Sequence, residues 1–306
     1  MLWILLAFLS AALLGFYDVF KKQALDGNAV IPVLLLNTMF SSIIFLPFII
    51  CSHEGMIADG SPLYCTYFDW TEQRYIIVKA CIVLASWLLA YFGLKHLPLT
   101  IVGPINATRP VMVLVGAMTI FAERLNLWQW LGVAVALIGI ELLKHTSKKE
   151  GINWWRDKWI YFVILSNILG AISGLYDKYL MAPPENGGVG LNKIAVQAWY
   201  NIYQFGMMAV MLILLWLPTR RKTTPFHWTW SIPMISIFLC MADFVYFYAL
   251  GMDGAMISIV SMVRRGSVIV SFLCGAMIFK EKNLKAKAFD LALVILSMIL
   301  LYIGSN

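Results

Sequence analysis

Residues 91–111 read YFGLKHLPLTIVGPINATRPV, and residues 246–266 read YFYALGMDGAMISIVSMVRRG. The two stretches align without a gap, so that Tyr91 falls opposite Tyr246 and Arg109 opposite Arg264. Charged and aromatic positions take part in the match, which points to an internal duplication rather than to two apolar stretches that happen to look alike. Working outward, GAMTIFAER (116–124) resembles GAMIFKEK (275–282), with Glu123 opposite Glu281 once one residue is skipped. At the other end of each copy, GFYDVFKK (15–22) returns as GLYDKYL (174–180), which relates Asp18 to Asp177.

Of the 306 residues 61% are hydrophobic and only 13% are charged, and apolar runs recur from end to end. Each run is about 20 residues long, enough to cross a bilayer core as a helix. A membrane barrel needs alternating segments of about 10 residues, and LLLNTMFSSIIFLPFII (34–50) does not alternate. Turns and charges divide the chain into ten expected spans: 2–20, 28–50, 75–95, 98–121, 127–143, 159–181, 193–217, 231–250, 254–279 and 284–303. No basic residue precedes the first run and no small-residue cleavage site follows it, so it reads as a retained helix and not a signal peptide. Residues 1–147 form the first expected five-helix unit, 148–158 a basic linker and 159–306 the second unit. Five crossings leave the second copy upside down relative to the first, which predicts inverted repeats about the membrane midplane.

The order of short break, polar and Pro-containing helix, then Phe, a spacer and Glu, then a last helix, resembles the EamA-like families of the drug/metabolite transporter superfamily. The resemblance spans both halves of the chain. It implies an all-α integral membrane carrier of ten transmembrane helices, in two inverted five-helix repeats around a central substrate cavity, working by alternating access. The copies differ in one place: GPINATRP (103–110) faces SIVSMVRR (258–265), which has no proline.

Candidate site residues are the polar groups that lipid should exclude. Arg109 lies near the middle of the fourth span, and Arg264 and Arg265 near the middle of the ninth. A guanidinium at mid-bilayer costs about 2.5–3.5 kcal/mol on insertion scales, so these side chains should face protein or a wet cavity. Two roles are open for each: a planar donor fork for a substrate carboxylate or phosphate, or neutralisation of an internal aspartate. Neighbouring helix residues point about 100° apart, so Arg264 and Arg265 cannot share one target. The aspartates Asp18, Asp177 and Asp243 are candidates for proton coupling or gating. Asp18 and Asp177 also sit near span ends, where a surface pair such as Asp18 with Lys22 is the plainer alternative. Asp243 is deeper, and a salt bridge to one of the arginines is expected. Asn37, Asn106, Asn201, Tyr91 and Tyr246 are candidate polar lining, although buried asparagines also serve to bridge helices. Pro104 and Pro110 should break the backbone ladder beside Arg109 and turn the fourth span toward a cavity. Ala11 with Gly15, and Gly170 with Gly174, make small-residue faces suited to close helix packing.

Basic residues gather after the first span, at 144–158, at 220–222 and at 280–287, all on one face of a ten-span topology, while residues 51–73 carry Glu54, Asp59, Asp69 and Glu72. The positive-inside rule then puts both termini outside the cytoplasm, in the cell (inner) membrane; the superfamily resemblance implies the opposite orientation. The net charge of +7 is accounted for by loops facing anionic lipid, without nucleic acid. The four histidines and five cysteines show no metal spacing, and Cys51 and Cys65 could pair if their loop is outside. No HExxH, GxSxG or GxxxxGK[ST] motif occurs, so no catalytic residue, metal or cofactor is expected. The expected function is a secondary, non-ATP transporter of a small polar or anionic organic metabolite, with substrate and membrane lipid as partners and a homodimer left open. The alternatives are a translocase of a lipid-linked headgroup, recognisable by a lateral opening between helices, and a non-transporting scaffold or membrane enzyme.

Overall fold

A computed structural model of the chain describes residues 2–61, 63–112, 126–148, 154–181, 184–250, 263–279 and 284–304. These residues are helical, with no strand among them. In chain order the helices are α1 (Leu2–Leu25), α2 (Val30–His53), α3 (Trp70–His96), α4 (Leu99–Ala107), α5 (Leu127–Lys148) and α6 (Lys158–Met181). They continue with α7 (Lys193–Met211), extended through a π-helical stretch, Leu212–Trp216, to Thr219, then α8 (Ser231–Leu250), α9 (Ser267–Ile278) and α10 (Leu284–Ile303). By length and composition seven of the described helices can cross a membrane: α1, α2, α3, α5, Lys158–Asp177 of α6, Ile194–Thr219, and α10. A shorter apolar stretch, Ser231–Tyr246, lies in α8. The chain is a multi-pass membrane protein. The expected fourth and ninth spans are described only in part, and Glu123 and Glu281 lie outside the described residues.

Local signals place the helix ends. Asp69 caps α3 in a capping box, its own N–H donating to Glu72 Oε2 at 3.1 Å. Asn192 Oδ1 accepts from the N–H groups of Ile194 and Ala195 at the start of α7, and Asn126 and Gln129 exchange reciprocal bonds before α5. Gly27, at φ 59°, makes the tight link between α1 and α2. α4 stops at Ala107, Thr108 forms a turn, and helix resumes at 109–112. That is the break expected at Pro110, which has no N–H for the Asn106 carbonyl.

The bundle exposes apolar side chains and buries polar ones among an apolar core: Leu5 of α1 is 66% exposed, while Ser10, on another face of the same helix, is fully buried. The Ser10 hydroxyl donates to the Ala242 carbonyl at 2.7 Å and so ties α1 to α8; Ser86 donates to the Ser166 carbonyl at 2.8 Å and ties α3 to α6. The main helix pairings are α1 with α8, α5 with α10, α3 with α6, α2 with α7, α1 with α9, α2 with α8 and α4 with α9. Each therefore joins a helix of residues 1–147 to one of residues 159–306. Small residues permit the closest approaches. A Cβ on Gly15 would lie 2.5 Å from Val270 Cβ of α9, and one on Gly132 of α5 would lie 2.8 Å from Leu301 of α10. Gly174 differs from expectation, since it faces open space.

Candidate functional site

The break in α4 sets up the site. With the helix interrupted, the Ile105 carbonyl accepts from the Thr108 hydroxyl at 2.7 Å and from Asn167 Nδ2 of α6 at 3.2 Å. Asn167 also donates to Asn106 Oδ1 at 3.1 Å and accepts from Arg109 Nε at 3.3 Å. One buried asparagine from the second half thus holds both the broken backbone and the arginine beside it. Gly170, one turn along α6, leaves room for that arginine: a Cβ there would lie 2.6 Å from Arg109 Cζ.

Arg109 borders a cavity of about 200 Å³ between α1, α3, α4, α6, α8 and α9. Its charged lining is Asp18, Lys21, Arg109 and Arg265, with Tyr17, Tyr91, Asn106 and four serine side chains around them. Lys21 Nζ donates to Asp18 Oδ1 at 2.6 Å and lies 4.2 Å from the Tyr17 ring centroid. That pair cancels within itself, which leaves two guanidinium charges. Arg265 is exposed to the cavity, and among the described residues neither Arg109 nor Arg265 enters an ion pair. Two guanidiniums, with Asp18 close to Arg109, thus border one space, and a guanidinium is a planar donor fork of the kind that matches carboxylate or phosphate.

A family-level match bears on this cavity. The EamA-like transporter family model covers residues 1–144, which include α1 to α4 and most of α5. Residues 1–144 are similar to that family. A probable 4-amino-4-deoxy-L-arabinose-phosphoundecaprenol flippase subunit, ArnE, of Aeromonas hydrophila subsp. hydrophila is 29% identical over 79 residues, 26% of this chain and 69% of that protein. An uncharacterized transporter in the cobO 3′ region of a Sinorhizobium species is 28% identical over 142 residues, 46% of this chain and 95% of that protein. One solved crystal structure shares the fold over 97% of this chain and 95% of its own, with a TM-score of 0.59 at 14% identity. These relatives are named as a flippase subunit and a transporter, and neither is named as an enzyme.

Within this EamA-like frame the other candidate residues separate by position. Arg264 does not line the cavity. It is ion-paired with Asp243 Oδ1 and lies 4.4 Å from the Tyr246 ring centroid, while Gln197 Nε2 donates to Asp243 Oδ2 at 2.9 Å. The adjacent arginines diverge as the helix twist requires, and the cavity partner of Arg109 is Arg265, not the aligned Arg264. Tyr246 is taken up by that cation–π contact. Asn37 is fully buried between α2, α3 and α8: its Nδ2 donates to the Tyr91 hydroxyl at 3.1 Å and its Oδ1 accepts from Ser236 at 2.8 Å. Asn201 turns its amide to the Gln197 carbonyl on its own helix, at 2.8 Å. Neither asparagine lines the cavity: Asn37 bridges three helices and Asn201 bonds back to its own. Asp18 does line it, but pairs with Lys21 rather than Lys22; Lys22 instead donates to the Leu94 and Leu97 carbonyls at the end of α3, at 2.6 and 2.7 Å. Asp177 is ion-paired with Lys79 of α3, whose ammonium lies 5.2 Å from the Tyr200 ring centroid.

Lys21, Lys79, Tyr17 and Asn167 are absent from the sequence expectations. Lys79 and Asn167 carried a usable signal, each being a polar residue inside an apolar run. Tyr17 precedes Asp18 as Tyr176 precedes Asp177, so the duplicated motif itself pointed to it. Cys51 and Cys65 are free thiols, and the described residues hold no cluster of His, Cys, Asp or Glu that could bind a metal.

Proposed function

We propose that the chain is a secondary transporter that carries a small anionic organic metabolite by alternating access around the Arg109–Arg265 cavity. The observation that carries this is the meeting on one cavity of two guanidiniums, one from each half of the chain, neither of which enters an ion pair among the described residues. The substrate's acidic group sits between the two forks, Tyr17, Tyr91 and Asn106 take its hydroxyl or amine groups, and the Asp18–Lys21 and Asp177–Lys79 pairs gate the two ends. The chain has ten crossings in two inverted five-helix units, 1–147 and 159–306. Two findings support that arrangement. Exchanging each helix for its counterpart five places on maps α1 with α8 onto α6 with α3, α2 with α8 onto α7 with α3, and α2 with α7, α4 with α9 and α5 with α10 onto themselves. In addition, 95% of the Sinorhizobium relative corresponds to only 46% of this chain, as a single unit would. The protein lies in the cell (inner) membrane with its termini outside the cytoplasm, as the loop charges favour.

Movement of a lipid-linked headgroup is the second reading, and the ArnE relative is what favours it. Purified protein in liposomes separates the two: flux of a radiolabelled organic acid or sugar phosphate supports solute transport, and translocation of a labelled anionic lipid supports the second. Arg109→Ala and Arg265→Ala should each abolish uptake with the melting temperature held. Gly170→Ala, which displaces the Arg109 guanidinium without removing it, should raise KM. Undiminished transport in both arginine variants would sink the proposal.

A further inference from the structure

The structure holds a second and larger space, whose lining shares no residue with the first. It is an apolar groove of about 690 Å³ between α2, α7, α8 and the 54–69 linker. Phe45 and Phe48 form one wall and Cys240, Met241, Phe244 and Tyr248 the other. Met241, Phe244 and Tyr248 are 48, 54 and 59% exposed, on a helix whose outward surface meets lipid. From Cys240 to Tyr248 the helix rises about 12 Å, close to the roughly 15 Å depth of one leaflet's hydrocarbon. Ser61 and Leu63 of the linker lie at one rim. The groove is not apolar throughout: Asp243 and Gln197 form part of its wall, and Asp243 is held there by Arg264.

Arg264 and Arg265 are consecutive, so the backbone that bears Arg265 on the wet cavity also bears the ion pair on the greasy groove. We infer that the two spaces form one composite site for an anionic amphiphile: a phosphate or carboxylate head between Arg109 and Arg265, and a hydrocarbon tail along the α2–α7–α8 groove. Volumes support this division, because about 200 Å³ accommodates a head and not a chain, whereas the apolar groove is more than three times larger. The Arg264–Asp243 pair is the partition that a head crosses when it enters from the bilayer. This rests on the anion-binding reading of the cavity and extends it to a tail.

Thermal stabilisation of the full chain in nanodiscs tests it, with methyl, butyl, octyl and dodecyl phosphate, the matching alkyl carboxylates, and dodecyltrimethylammonium as the control for non-specific partitioning. Expected is an apparent affinity that rises by up to about two-hundredfold from the butyl to the octyl anion, with no stabilisation by the cation. Met241→Trp and Phe244→Trp should remove the chain-length dependence and leave the methyl anion unaffected, whereas Arg265→Gln should remove binding of every anion. Short anions binding without any gain from a tail would overturn the groove while leaving the cavity proposal standing. Equal stabilisation by the cationic amphiphile would overturn it as well, and no binding by any anion would overturn both.

Discussion

Three arginines in one membrane region divide into two kinds. Arg109 and Arg265 face open space, while Arg264 is satisfied by Asp243. Replacing Arg264 leaves a carboxylate in a low-dielectric setting without its cation, so Arg264→Ala should cost about 3 kcal/mol and lower the melting temperature clearly. The double change Arg264→Leu with Asp243→Leu should recover most of it. A thermal scan of the two variants checks this, and an unshifted melting temperature in the single variant would show that the pair has no structural weight. Outside the spans, Cys65 is buried under the linker, with its N–H on the Ser52 hydroxyl at 3.0 Å, and burial pushes its thiol up to about 11. Since the thiolate is the reactive form, its alkylation should be negligible at neutral pH and climb about tenfold per pH unit until that value is approached. Mass spectrometry after timed maleimide exposure should show Cys51 modified first.

At the scale of elements, the break before Pro110 was legible because it depends on a missing N–H that one residue specifies, whereas α1 runs on to Leu25 and α3 starts at Trp70, each five residues beyond the expected ends at 20 and 75, because helix continues past the apolar run until a local cap or turn at Gly27 or Asp69 stops it. The identity of the second cavity arginine was not. Alignment of the copies puts Arg264 opposite Arg109, but the rotation of a helix about its axis is decided by what it packs on, and here the Asp243 carboxylate captures Arg264. Asn37 and Asn201 were ambiguous for a related reason: an amide in a span serves a substrate or a neighbouring helix equally well, and only the three-dimensional neighbours, Ser236 and the Gln197 carbonyl, decide. Lys79 went unassigned because its partner Asp177 is about a hundred residues away on another helix. Pro110 offers a test at this scale. Pro110→Ala restores the N–H that the Asn106 carbonyl lacks, so the break at Thr108 should close, with the melting temperature unchanged or raised and transport reduced at least tenfold as Arg109 rotates away from Asn167. Full activity in that variant would show that the break has no part in presenting the guanidinium.

Across the whole molecule, the charge on the connections sets orientation. The basic end of α5 and the start of α6 should face the cytoplasm, so a cysteine at Lys148 should be shielded from an impermeant thiol reagent added outside intact cells; ready labelling there would reverse the topology. The fold also constrains how the chain can be divided. Because α1 lies on α8, α3 on α6 and α5 on α10, neither 1–150 nor 151–306 has a complete set of neighbours by itself. Severed in the linker and produced separately, each piece should be degraded by the cell. Produced together they should find one another and co-purify as a functional heterodimer, detectable by a tag on either piece alone. The covalent connection would then contribute stoichiometry and proximity during synthesis, and the interlocked surfaces alone would supply the affinity.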